Sequence, residues 1–207
     1  MRSIFRHLFA DRRASTAVET ALLIPLLVLL LVGSYQLYMF MRATSLTERT
    51  AITISDLISR RSTAVMDCSL LTDSSYLGTY FDAATKVADP LSLDGKGMVI
   101  VSAVHNLNGT ATVAWQRRSV YQIDGASSSV GAEGASAYLP GAITVQTGGD
   151  TVIVAEVFYS YVPFAGLSQF NSMLPKAQVI QRASYFRARY GALDSLGTVP
   201  GCTGLPS

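Results

Sequence analysis

Hydrophobic and polar positions divide this chain into three stretches of different periodicity. From Thr20 to Met41 the chain reads TALLIPLLVLLLVGSYQLYMFM, 22 residues without a charged side chain. As a helix this run is about 33 Å long, enough to cross a hydrocarbon core of roughly 30 Å. From Arg42 the pattern becomes helical and amphipathic. Ala43, Leu46, Thr50, Ile54, Leu57 and Ile58 recur mostly at three- and four-residue spacing, and neither Gly nor Pro interrupts Ser34–Arg61. Span and stripe are therefore expected to form one long helix, its outer half laying an apolar stripe against a following domain.

Beyond residue 61 the signals are those of strands. Met98–His105 is rich in β-branched residues, and in Thr110–Gln116 the alternation places Ala111, Val113 and Trp115 on one face. Asn106-Leu107-Asn108-Gly109 lies between them, so a β-hairpin is expected. Ala142–Thr147 and Thr151–Val162 flank Gly148-Gly149 and read as a second hairpin. Its latter strand is apolar on both faces, as suits a central position. Gln178–Tyr190, with Val, Ile, Phe and two Tyr, reads as a further strand. The Gly/Ser-rich Gly125–Ser136 reads as a flexible surface loop. The expected fold class is α+β: a long N-terminal transmembrane helix leading into an antiparallel β-sheet domain. The boundaries are 1–14 as a basic leader, 15–61 as the helix and 62–207 as the β-rich domain.

Composition and charge refine this picture. Hydrophobic residues make up 49% of 207, yet 17 of them sit within the 22-residue run, so the high mean hydropathy belongs to one segment. The net charge of +2 gives no basic footprint for nucleic acid. Arg2, Arg6, Arg12 and Arg13 precede the span, and the positive-inside rule keeps the N-terminal tail cytoplasmic and exports the rest. A cleavable secretory signal is the rival: Ala21–Val32 has a suitable length, and Val32-Gly33-Ser34 supplies small residues for a cut. Against it, YQLYMFM continues the apolar run where a mature protein turns polar. An anchor is favoured.

Glu19 directly precedes the uncharged run. An ionisable group at that depth marks either function or a carboxylate at headgroup level in the first helical turn, and the residues alone leave both readings open. Pro25 lies inside the span, where it removes one backbone hydrogen bond and allows a kink. Cys68 and Cys202 both fall on the exported side, where disulfides persist, and a bridge between them is expected. Two unpaired thiols are the alternative. No nucleophile elbow, HExxH, Walker loop or dinucleotide turn occurs. His105 reads as a strand residue, and Asp82, Asp89, Asp94, Asp124 and Asp150 as turn formers. Asn108-Gly109-Thr110 matches a glycosylation sequon that the tight turn itself accounts for. Neither an enzyme nor a cofactor or metal is expected.

The ordered set Arg12, Arg13, Val18, Glu19, Ala21, Leu22 and Pro25, within RRASTAVETALLIPLLVLLLVGSYQLY, resembles the amino terminus of TadE/TadF-like proteins of tight-adherence (Flp) pilus systems. The match covers roughly residues 12–45, and Tyr159-Ser160-Tyr161-Val162-Pro163 is similar to the Tyr-x-Tyr-x-Pro strand of the same proteins. The resemblance implies a pilin-like fold and an inner-membrane structural subunit whose partners are other pilus or pseudopilin subunits. It also implies processing by a prepilin peptidase between Ala14 and Ser15, leaving Glu19 fifth in the mature chain. Ala14 stands where the family usually has Gly, and Thr20 where it usually has Phe or Tyr. The rivals from other classes are a membrane-anchored periplasmic binding or sensory module, and a secreted β-rich protein cut after Ser34.

Overall fold

A computed structural model describes residues 12–141, 143–164, 176–190 and 193–207. The fold is α+β, with one long apolar N-terminal helix and an antiparallel sheet. Helix α1 runs Arg12–Ser59, and the chain divides within it into two units, up to Met41 and from Arg42 onward.

The second unit is built on a four-stranded antiparallel sheet of β2 (Gly97–Leu107), β3 (Thr110–Arg118), β4 (Thr151–Tyr161) and β5 (Gln178–Arg187), in the order β3-β2-β4-β5. β4 is central and buried along its first eight residues, as its two-sided apolar sequence requires. On one face Val99, Val101, Ala103, Ile153, Ala155 and Val157 pack with Ala51, Ile54 and Ile58 of α1. The same cluster takes in Leu77, Tyr80, Phe81 and Ala84 of α2 (Leu77–Val87). A parallel pair, β1 (Val65–Asp67) with β6 (Leu196–Thr198), closes one end.

The first hairpin forms as expected. Asn108 and Gly109 alone join β2 to β3, with φ of 53° and 89°, the pair of positive φ values that a two-residue type I′ turn needs. The second hairpin does not form. Residues 143–147 make no strand, because β4 already has β2 on one edge and β5 on the other. Val145 packs instead against the second face of the sheet, beside Val104 and Val152.

The stripe on α1 is rotated from the expected one. Leu57 is exposed and Leu46 half-buried, while Ala43, Thr47, Thr50, Ala51, Ile54, Ser55 and Ile58 are buried. Hydroxyls fit this face because each bonds back to its own helix: Thr47 Oγ1 to the Ala43 carbonyl (2.6 Å), Thr50 Oγ1 to Leu46 (2.8 Å), Ser55 Oγ to Ala51 (2.7 Å). With its polar atom so satisfied, a short Thr or Ser lies in an apolar contact at little cost.

The Gly/Ser-rich segment Gly125–Ser136 is a loop lying mostly at the surface, as expected, but it is anchored at one point. It crosses the second face of the sheet, with Val130 wholly buried against Val104, Val113 and Val154. Asp82 is a helix residue, paired with Lys86 four positions on at 2.5 Å, and not a turn former.

Candidate functional site

Within the first unit every described side chain from Thr16 to Tyr35 is exposed, on all sides of the helix. Leu22, Leu29 and Leu31 lie near 70% exposure. A helix whose described side chains from Thr16 to Tyr35 are exposed and mostly apolar is suited to an apolar surrounding, and this one is long enough to cross a membrane. Its backbone is helical throughout, the form in which N–H and C=O groups pair within the segment as a membrane interior demands, although Pro25 has no N–H to donate. Pro25 is accommodated inside it, and helical structure continues on both sides.

Glu19 is exposed on this helix, with Leu22 and Leu23 three and four positions on. The helix already includes Arg12, so Glu19 lies about two turns in. One of the two readings left open by the sequence put it in the first helical turn, where the helix dipole would stabilise it. The structure moves it beyond that reach, since the dipole effect falls off within the first turn. Ala14 and Ser15 fall in the first turn of α1, and residues 1–11 of the basic leader lie outside the described residues.

In the second unit the two cysteines meet. Cys68 directly follows β1, Cys202 lies four residues past β6, and the two are bonded, with Cα atoms 5.5 Å apart. The parallel pairing of β1 with β6 is what brings positions 134 residues apart in sequence together. Next to the bridge, Asp67 fastens the C-terminal tail. Its Oδ1 accepts from the Leu205 N–H (2.8 Å) and its Oδ2 from Arg117 Nε (2.7 Å). Arg117 Nη1 reaches Glu133 Oε2 at 2.7 Å, and Pro206 O accepts from the Arg118 N–H at 2.8 Å. Both carboxylates raise the Arg117 pKa against the opposing effect of burial. Leu71, Val120 and Tyr121, all exposed, line a groove of about 220 Å³ beside α2.

His105 is a half-buried strand residue paired with Thr112 and Thr151. Among the described residues no cluster of His, Cys, Asp and Glu has metal-holding geometry. The sequence reading passed over Glu156, which is wholly buried in β4. Its signal was a single carboxylate inside the otherwise apolar run TVIVAEVF. The structure therefore places the sequence-derived residues in two separate groups: Ala14, Ser15, Glu19 and Pro25 on the apolar helix, and Cys68 with Cys202 at the β1–β6 end. No protein-family model, curated protein or solved structure matches this chain.

Proposed function

We propose that this chain is a structural subunit of a pseudopilin-like assembly, a TadE/TadF-like component of a tight-adherence pilus. It crosses the inner membrane once through α1, with the N-terminal tail cytoplasmic and the sheet unit outside. The observation that carries the reading is Glu19: a carboxylate set two turns inside a helix that exposes apolar side chains on every side. Such a charge is costly in hydrocarbon unless it meets a partner.

A prepilin peptidase cutting between Ala14 and Ser15 supplies a cation for that carboxylate. The new α-amino group, of pKa about 8, is mostly protonated at neutral pH and pairs with a Glu19 carboxylate of its own or a neighbouring subunit. The cut also brings Glu19 to within about one turn of the new helix end, where the dipole favours a carboxylate. Subunits would thus be set in register within the membrane. Outside it, the exposed Leu71, Val120 and Tyr121 offer apolar surface for a neighbouring subunit.

Mass spectrometry of the mature amino terminus tests this reading against its rivals. Ser15 is expected. Retention of Met1 fits a binding or sensory module, and Tyr35 fits a secreted protein. Glu19→Ala should then abolish pilus assembly while membrane insertion persists; pili formed normally by that variant would overturn the proposal.

A further inference from the structure

The second face of the sheet is covered by residues 119–141, which form no named helix or strand. Two apolar contacts hold this strap. Ile123 and Ala126 pack on Met98, Ile100 and Phe158, while Val130, Ala137 and Leu139 pack with Val104, Val113, Val152 and Val154. Between these patches the sheet presents a carboxylate, Glu156, wholly buried and flanked in register by Ile100 and Ala183.

Among the described residues the hydrogen-bond partners of that carboxylate are neutral, and most of them belong to the strap. Oε1 accepts from the Ser129 N–H (2.9 Å), from Ser129 Oγ (2.6 Å) and from Gln181 Nε2 (3.0 Å), and Oε2 accepts from Ser128 Oγ. Two strands away, on β3, Gln116 Nε2 donates both to Ser102 Oγ (2.8 Å) and to the Gly131 carbonyl (2.9 Å). The strap's own backbone bonds to regular structure are few among the described residues: Ser119 N–H to Val99 O at its start, Gly134 N–H to Val113 O, Ala137 N–H to Ala111 O, and the Val113 N–H to Ala135 O.

We infer that the strap is a separately opening element and that Glu156 is its latch. A segment with little regular structure and mostly side-chain attachment belongs to the low-stability end of a fold, whereas β2 and β4, paired on both edges, belong to the high end. Desolvating a carboxylate in the middle of a sheet face is costly, and apolar packing at the same place would hold the strap without that cost. A polar latch differs from apolar packing in that it holds one alignment and lets go as a unit. Release uncovers part of the apolar sheet face formed by Val104, Val113, Val152 and Val154, on which Ile143 and Val145 remain packed. Glu156 acts here as a positioning residue for Ser128 and Ser129. The inference stands independently of the pilus reading.

Amide hydrogen exchange on the full chain in detergent micelles tests it. In Glu156→Ala the amides of Ser129, Gly134, Ala137 and Tyr138 should exchange at least about tenfold faster, since charge-assisted hydrogen bonds are lost. Those of Val152–Val157 should stay within about twofold of the wild type by the same reasoning. Glu156→Gln keeps an acceptor for Ser129 and Gln181 and gains a donor for Ser128, so its strap should exchange within about threefold of the wild type. Equal acceleration of strap and β4, no acceleration of either, or a Gln variant as open as the Ala variant would overturn the latch. If Glu156→Ala does not fold, Ser128→Ala with Ser129→Ala removes the strap's side of the contact, and the same criteria decide.

Discussion

Val113 and Trp115, two positions apart on β3, point to opposite faces of the sheet. Val113 pairs with Val104 and packs among the valines under the strap, whereas Trp115 pairs with Ala103 and packs with the cluster that includes Ile54. A bulge makes this possible: Ala103 and Val104 are adjacent, but their partners are not, and Ala114 is the extra residue. The expectation from alternation, that Ala111, Val113 and Trp115 share one face, therefore holds only for the first two.

The bulge aims the indole at a specific acceptor, and Trp115 Nε1 donates to the Leu193 carbonyl at 2.9 Å. Trp115→Phe should cost about 2–4 kcal/mol, combining a smaller side chain with a buried carbonyl left unpaired. Urea unfolding followed by circular dichroism measures this. A loss below about 0.5 kcal/mol, the size of an ordinary surface change, would contradict the role of that bond. Trp115 is the single tryptophan of the chain, so its emission should be blue-shifted in the native state and move red on unfolding.

The Cys68–Cys202 bridge encloses most of the second unit, its ends 134 positions apart. The chain-entropy account assigns a loop of this length up to roughly 5 kcal/mol. Replacing both cysteines with serine should lower stability by a large part of that amount. The oxidised wild type should also run faster than the reduced protein in denaturing gels. Identical mobility with and without reductant would show that the bond does not form in the protein as produced.

Much of this fold was legible, and the failures have physical causes. The uncharged Thr20–Met41 run, the Asn108-Gly109 turn and the two-sided apolar β4 each carry a local signal that tertiary structure did not override. The stripe on α1 was misread by rotation. Thr47 and Ser55 look polar in a sequence, but their hydroxyls are satisfied by the preceding turn and so belong inside. Helix α2 was passed over although Leu77, Tyr80, Phe81, Ala84 and Ala88 have helical spacing. The bulge at Ala114 left no trace, because a single extra alanine does not disturb a period-2 pattern visibly. Glu156 and its serines are joined only by folding, 27 and 28 positions apart.

Acid should weaken the second unit through two carboxylates, the half-buried Asp56 and the exposed Asp73. The Arg60 side chain holds the Asp56 carboxyl below its usual value, and the Ser75 N–H and hydroxyl do the same for Asp73. Because the folded values lie below the unfolded ones, both contributions are fully present above about pH 3.9, the unfolded carboxylate value. They are lost as the pH falls from there through the lowered folded values. Thermal midpoints measured in detergent from pH 7 to 2.5 should drop at the acid end. Asp56→Asn with Asp73→Asn should flatten part of that drop, and an unchanged slope would remove these two groups from the account.

Asp67 and Glu133 both bind Arg117 at 2.7 Å, but removing them should not cost the same. The Asp67 side chain is 14% exposed and Glu133 39%, so Asp67 acts in the drier surroundings. Asp67 also accepts the Leu205 N–H, and Leu205 is a buried part of the core. Asp67→Ala thus leaves Arg117 with Glu133 and the Gln116 carbonyl, but strands the Leu205 amide and loosens the tail beyond Cys202. A loss of about 2–3 kcal/mol is expected for Asp67→Ala. For Glu133→Ala the loss should stay below about 1 kcal/mol, the usual size for a largely solvated pair. Denaturant curves of the two variants with the disulfide intact give the comparison. Equal losses, or a larger one for Glu133→Ala, would mean that Asp67 does not fasten the C-terminal tail.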